Sequence, residues 1–74
     1  MNLREVFAAN LRAQRRRAGF SQEELAHRAN LDRTYVSSLE RASYSATLDV
    51  IERISAAFGV DAFTLLVSGD NRER

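Results

Sequence analysis

Residues Ser21 to Arg41 read SQEELAHRANLDRTYVSSLER. Ser21 and Glu24 have the spacing of a capping box, in which the serine oxygen accepts the Glu24 amide and the glutamate carboxylate returns a bond to the serine amide. A helix is therefore predicted from Gln22, with an apolar face formed by Leu25, Ala26 and Ala29. Asn30 ends it, because asparagine enters left-handed backbone geometry at low cost. The chain is predicted to turn sharply there.

A second short helix follows this turn. Asp32 is a good N-cap, and the helix is predicted to run through about Glu40. Val36 and Leu39 are its only strongly apolar residues, so its buried stripe is narrow. The residues left to point outward are Arg33, Thr34, Ser37, Ser38 and Arg41. This outward set is short, polar and rich in hydrogen-bonding groups, which suits a surface that approaches base edges.

The spacing of this stretch resembles a known family. The matching positions, in order, are Gln22, Leu25, Ala26, Asn30, Val36, Leu39, Glu40 and Arg41. They resemble the helix-turn-helix of the phage repressor and Cro family, also called the XRE family, and the LDRTYVSSLER segment is most similar to controller proteins of restriction-modification systems. The resemblance covers roughly Val6 to Leu66. It implies an all-α, compact five-helix lambda-repressor-like DNA-binding domain whose third helix lies in the major groove. A capped helical hairpin in an unrelated bundle is the alternative that this spaced set disfavours.

Length and composition set bounds on this reading. The 74 residues allow one domain, which we expect to span residues 1–69 and to leave 70–74 as a frayed polar tail. The absence of cysteine excludes disulfides and is compatible with a reducing cytoplasm, where we expect the protein to act. No apolar run reaches membrane-spanning length, and no signal-peptide core is present, so we expect no membrane partner.

The sequence offers little for catalysis. It has one histidine, His27, with no second histidine, cysteine or acid pair at metal-binding spacing. No nucleophile and base pair and no glycine-rich phosphate loop are present. We therefore expect no enzyme activity, no metal and no cofactor.

The net charge of +1 is unevenly distributed. Residues 1–41 contain eight arginines and five acids, whereas residues 42–74 contain three arginines and five acids. The basic part therefore contains the helix-turn-helix. All eleven basic residues are arginine, the side chain that pairs in bidentate fashion with phosphate or guanine, although a genome-wide codon bias would give the same count.

A first helix is predicted from about Leu3 to Ala18, because Leu3, Phe7 and Leu11 recur every four residues. Gly19 ends it. A fourth helix is predicted after the N-cap Thr47. Its buried stripe would contain Leu48, Ile51, Ile54, Ala57 and Phe58.

Gly59 is predicted to end the fourth helix. Asp61 then caps a short fifth helix that runs through about Val67.

The resemblance and the residue chemistry together predict the DNA contacts. The predicted base contacts are Arg33, Thr34, Tyr35, Ser37 and Ser38. The predicted phosphate contacts are Gln22, Arg41, Ser43, Tyr44 and Ser45. Tyr44 has an alternative role, packing over the edge of the core. The resemblance also implies a structural ion pair between Arg15 in the first helix and Glu40.

The loop 42–46 is unusual for the family. Gly and Pro usually stand where this chain has Ala42 and Ala46, so the loop must turn without the two residues best suited to turns.

One recognition helix offers too few base contacts for useful specificity, so a two-fold homodimer is predicted. The apolar residues left for its interface are Val50, Phe63, Leu65, Leu66 and Val67. The alternative is that they close the core of the monomer.

The predicted function is sequence-specific recognition of double-stranded DNA at an inverted-repeat operator, regulating transcription. A self-regulating restriction-modification controller and a phage-type repressor both fit this function, and RNA polymerase is a candidate partner. The alternative is a protein-interaction module of the same fold, such as an antitoxin or a coactivator, which should present a more apolar third helix.

Overall fold

A computed structural model describes residues 2–68. These residues form four α-helices: α1 (Leu3–Ala18), α2 (Gln22–Ala29), α3 (Arg33–Glu40) and α4 (Leu48–Phe58). A 3₁₀ helix, Ala62–Leu65, follows them, and no strand occurs between residues 2 and 68. The all-helical class is confirmed. The prediction of a fifth α-helix is wrong, because this element is a 3₁₀ helix of four residues. The predicted tail, 70–74, lies outside the described residues.

Side-chain caps begin the first two helices. The capping box lies at α1, where the Asn2 side chain accepts from the Glu5 amide at 2.9 Å and the Glu5 carboxylate accepts from the Asn2 amide at 3.4 Å. At α2 only half of the predicted box forms. Ser21 Oγ accepts from the Glu24 amide at 3.0 Å, but the Glu24 carboxylate accepts from Arg28 Nε at 2.6 Å on the helix surface.

The later helices differ in their caps. Thr47 Oγ1 accepts from the Val50 amide at 3.1 Å and caps α4 as predicted. Asp32 and Asp61 occupy the N-cap positions of α3 and the 3₁₀ helix, but neither side chain makes a capping hydrogen bond. The start of α3 therefore depends on packing rather than on a side-chain cap.

Residues in left-handed backbone geometry end α1, α2 and α4, and another turns the chain just after α3. Asn30 has φ 58° and ψ 51°, as predicted for the turn between α2 and α3. Gly19 and Gly59 take the same geometry after α1 and α4. Ala42, just beyond α3, also has a positive φ, 60°, which is unfavourable for a residue with a Cβ. The loop 42–46 therefore uses an alanine where glycine would fit without strain.

The core lies between all five elements. Its fully buried side chains are Leu11, Leu25, Val36, Leu39, Ile54 and Leu65. Leu3 and Leu48 were predicted to lie within the buried stripes, but both are exposed, Leu48 by 82%. Each is the first residue of its helix and lies at the edge of the core. The helical period identified the face of each helix that packs on the core, but not where the elements that cover this face end.

Candidate DNA-binding surface

The outward face of α3 carries the candidate base-contacting residues. Arg33 and Thr34 are exposed, and Ser37 and Tyr35 are half-buried. Ser38 was predicted to point outward, but it is buried. Its hydroxyl donates to the Thr34 carbonyl oxygen at 3.1 Å, so the polar group is satisfied within the helix. Ser38 is therefore poorly placed to reach a base.

The loop that follows α3 is hydrogen-bonded to the backbone of Ser38. The Ser43 amide donates to the Ser38 carbonyl oxygen at 2.9 Å, which folds the chain back over the end of the helix. Arg41 lies beside them, exposed, with its guanidinium donating to the Ser37 and Ser38 hydroxyls. The candidate reading surface thus consists of the first turn of α3 and the outer edge of its second turn.

Gln22 links this surface to the interior. Its Nε2 donates to Glu40 Oε1 at 3.1 Å, and its Oε1 faces Arg33 Nη1 at 3.4 Å. Because the carboxylate accepts only, the amide nitrogen must face Glu40 and the amide oxygen must face the arginine. Gln22 is also the first residue of α2, where free backbone amides and the helix dipole favour an anion. Arg33 therefore lies beside the start of α2.

Arg15 and Glu40 join α1 to the end of α3. Arg15 Nε lies 2.6 Å from Glu40 Oε2 and Nη2 lies 3.1 Å from Oε1, and the side chains are 15% and 4% exposed. Arg15 Nη1 also donates to the Phe20 carbonyl oxygen at 3.0 Å.

The hydrogen bond with Glu40 raises the pKa of the Arg15 guanidinium above its ordinary value, and this effect outweighs the opposing effect of burial. A raised pKa means that the folded state holds this proton more tightly than the unfolded chain does. The contribution of this proton to stability is therefore present below the ordinary arginine pKa and is lost as the pH rises through the higher folded value.

Arg12 was missed by sequence reasoning. Its Nη1 donates to the Glu40 backbone carbonyl oxygen, which is one of the unpaired carbonyls at the end of α3. Arg12 and Arg15 are three residues apart and so share a face of α1. That spacing was the signal in the sequence that Arg12 lies near Arg15 and its partner. Two arginines of α1 thus donate hydrogen bonds to Glu40, the last residue of α3.

The loop 42–46 exposes its three central side chains, Ser43, Tyr44 and Ser45. The Tyr44 ring centroid lies 6.4 Å from that of Tyr35, with the rings tilted by 39°. Tyr44 therefore packs on Tyr35 of α3, which itself packs against the edge of the core. Contact of these three side chains with phosphate stays a prediction.

The predicted dimer residues fall into two groups. Val50 and Leu65 are buried in the core cluster, so they close the core of the monomer and their assignment to an interface is corrected. Leu66 and Val67 are half-buried, and Phe63 is 73% exposed. Only these last three present apolar surface for a partner.

The described residues contain few other candidate sites. His27 is exposed on α2, and residues 2–68 hold no group of three histidine, cysteine or acidic side chains that could ligate a metal. In the same part of the chain, no helix combines the length and apolar character needed to cross a membrane.

Comparison with known proteins identifies the arrangement. A family model described as Helix-turn-helix matches residues 11–65. The crystal structure of a hypothetical transcription factor from Neisseria has a TM-score of 0.93 and 47% identity, covering 97% of this chain and 83% of that one. Control protein C.BamHI of Bacillus amyloliquefaciens is 42% identical over 66 residues, 88% of this chain and 82% of its own length. The restriction-modification controller protein C.AhdI from Aeromonas hydrophila has a TM-score of 0.82 and 34% identity, covering 84% of this chain and 94% of that one.

Proposed function

The chain belongs to the helix-turn-helix family of DNA-binding transcription regulators, and from that premise we propose that it acts as a homodimer on an inverted-repeat operator. Each protomer inserts α3 into the major groove of one half-site. Two half-sites about 34 Å apart then place both reading helices on one side of the duplex.

The observation that carries this proposal is the first turn of α3. Arg33 and Thr34 are exposed there, and Arg33 Nη1 lies 3.4 Å from Oε1 of Gln22, whose Nε2 donates to the buried carboxylate of Glu40. An exposed arginine at the start of a recognition helix is suited to pair with the O6 and N7 atoms of a guanine. Tyr35 and Ser37 supply the neighbouring contacts. Ser38, being buried, contributes least.

Phosphate contacts fix the register on either side of this helix. Gln22 and the amides at the start of α2 face one strand of the duplex, and Arg41 with the hydroxyl groups of the loop 42–46 faces the other. These groups carry charge or hydrogen-bonding capacity but no sequence preference. They account for binding, whereas the first turn of α3 accounts for choice of site.

The competing function is docking to a protein through the same face. A docking helix would present apolar side chains, whereas the exposed residues of α3 are polar. The polar face therefore favours DNA.

The regulatory role is proposed from the relatives. Two of the relatives are named a control protein and a restriction-modification controller protein. We assign the same role to this chain: control of its own operon through occupancy of the operator by the dimer. Contact with RNA polymerase at the promoter is the additional step if the outcome is activation.

The test uses fluorescence anisotropy with duplex DNA from upstream of the native gene and with a scrambled duplex of equal length. The upstream duplex should bind at least about a thousandfold more tightly at physiological salt, and affinity for the scrambled duplex should fall steeply as salt rises. Equal affinity for both duplexes would contradict sequence-specific recognition. Absence of binding to either duplex at low salt would favour the docking function.

A further inference from the structure

Asn10 is a polar side chain within the apolar stripe of α1. It is 2% exposed, and its Nδ2 donates to the carbonyl oxygens of Leu65 and Val67 at 2.9 and 2.7 Å. Both partners are acceptors only, so the amide nitrogen must face them, and each of its two hydrogens has one carbonyl. Leu65 and Val67 follow Asn10 in the sequence by 55 and 57 residues, so both bonds are long-range. Asn10 is therefore a tether between α1 and the C-terminal segment.

The segment that it holds has little structure of its own. The 3₁₀ helix has four residues, with the Thr64 amide donating to Asp61 and the Leu66 amide to Phe63, both at 2.9 Å. So short a helix does not persist alone in water. Leu65 fills the core, and Asn10 binds the carbonyls on either side of Leu66. The direction in which Leu66 and its neighbours face thus depends on the hydrogen bonds from α1 as well as on the packing of Leu65 in the core.

We infer that Asn10 is the positioning residue of the dimer interface. This inference rests on the proposed homodimer, whose interface would contain the exposed Phe63 and the half-buried Leu66 and Val67. In a two-fold interface the same surface patch of each protomer packs against the other. A small rotation of the segment therefore displaces the contact residues on both sides of the interface. Asn10 limits that rotation because it binds two backbone carbonyls of the segment, those of Leu65 and Val67. It makes no contact with the partner protomer.

The same helix sets the position of the reading surface. Arg12 and Arg15, which follow Asn10 by two and five residues in α1, bind the end of α3 through Glu40. The interface segment and the recognition helix are therefore attached to one rigid element. Asn10 thereby helps to set the distance between the two α3 helices of the dimer, although it lies neither in the interface nor on the candidate DNA-binding surface.

The experiment compares Asn10→Ser, Asn10→Leu and Leu66→Glu with the wild type by sedimentation over a range of micromolar concentrations. Serine leaves room for water between the two carbonyls, and leucine keeps the volume without hydrogen bonds. Each Asn10 variant should raise the dimer dissociation constant about tenfold or more, because two hydrogen bonds that orient the segment are lost. Circular dichroism below the dissociation constant should still show a folded monomer that melts cooperatively. Leu66→Glu should weaken the dimer directly.

The outcomes separate this inference from the proposed function. A wild type that stays monomeric, alone and on operator DNA, would overturn both. A wild type and both Asn10 variants that dimerise equally, with Leu66→Glu monomeric, would overturn only the role of Asn10. Two Asn10 variants that are unfolded below the dissociation constant would show that Asn10 holds the monomer core, and would likewise overturn it.

Discussion

The Glu40 carboxylate accepts two hydrogen bonds from one edge of the Arg15 guanidinium, at 2.6 and 3.1 Å, while the Glu40 backbone carbonyl accepts from Arg12. One residue at the end of α3 thus binds two of the arginines of α1, and its carboxylate also accepts from Gln22. The fold and the reading surface therefore depend on the same buried carboxylate.

Glu40→Ala should lower the free energy of unfolding by about 3 to 5 kcal/mol, because Arg15 would be left buried without its partner. That is a large share of the stability of so small a domain. Urea denaturation measures it. Arg28→Ala is the matched control, since it breaks the Arg28–Glu24 pair, whose side chains are 50% and 43% exposed. It should cost under about 1 kcal/mol. A Glu40→Ala protein that melts within a few degrees of the wild type would show that the pair contributes little.

Arg33→Ala should reduce discrimination between the operator and random DNA by about 1 to 3 kcal/mol, because the bidentate contact with guanine is lost. Competition binding with both duplexes measures this difference. Arg53→Ala, an exposed arginine on α4, is the control and should leave the ratio unchanged. If Arg33→Ala weakened both duplexes equally, Arg33 would be a phosphate contact.

Gln22→Ala should weaken binding to all sequences alike, because Gln22 positions the protein on phosphate at the start of α2. Anisotropy on the operator and on a scrambled duplex measures it, with Glu23→Ala, exposed on the same helix, as control. A change in operator preference would mean instead that Gln22 acts by orienting Arg33.

Ala42→Gly should stabilise the protein by about 0.5 to 1 kcal/mol. The alanine at φ 60° is strained by about 1 to 2 kcal/mol, and the greater freedom of glycine in the unfolded chain removes part of the gain. Thermal melting should show a higher Tm. Gly59→Ala is the reciprocal test: φ is 73° and an added Cβ meets no atom within 4 Å, so its expected loss comes from the backbone alone. A lower Tm for Ala42→Gly would mean that the loop conformation is not under strain.

Val67→Glu and Leu66→Glu should each shift the protein from dimer to monomer, since both place a charge in the proposed apolar interface. Sedimentation measures the shift. Ala56→Glu makes a similar change of charge on an exposed part of α4 beside α2, and should leave the dimer intact. Loss of the dimer with Ala56→Glu alone would move the interface to the groove between α2 and α4.

Much of the fold could be predicted because local signals and tertiary packing agree. The predicted span of α1 matches the observed Leu3–Ala18, and Asn30 adopts the left-handed turn expected of it. Leu48 and the 3₁₀ helix were not predictable in the same way. A helical period identifies a face, but which residues of that face are covered depends on where the neighbouring elements stop.

In the candidate site too, some features could be predicted from local sequence and others depend on tertiary packing. The first turn of α3 was predictable from its residue types, whereas the burial of Ser38 depends on the tertiary packing around α3. Asn10 lies three residues from Phe7, within the apolar stripe of α1, and a polar residue in such a stripe was the signal for a long-range hydrogen bond. Its partners could not be read from that signal, because they lie in a segment without a periodic pattern.

The contact between Tyr35 and Tyr44 gives the molecule an optical property. The chain has two tyrosines and no tryptophan, so both of its principal ultraviolet fluorophores lie at the edge of the candidate DNA-binding surface, with ring centroids 6.4 Å apart. Tyrosine emission therefore reports on this one face and is silent about the rest of the protein. Titration with unlabelled duplex DNA should quench it, giving a binding signal that needs no dye and no engineered probe.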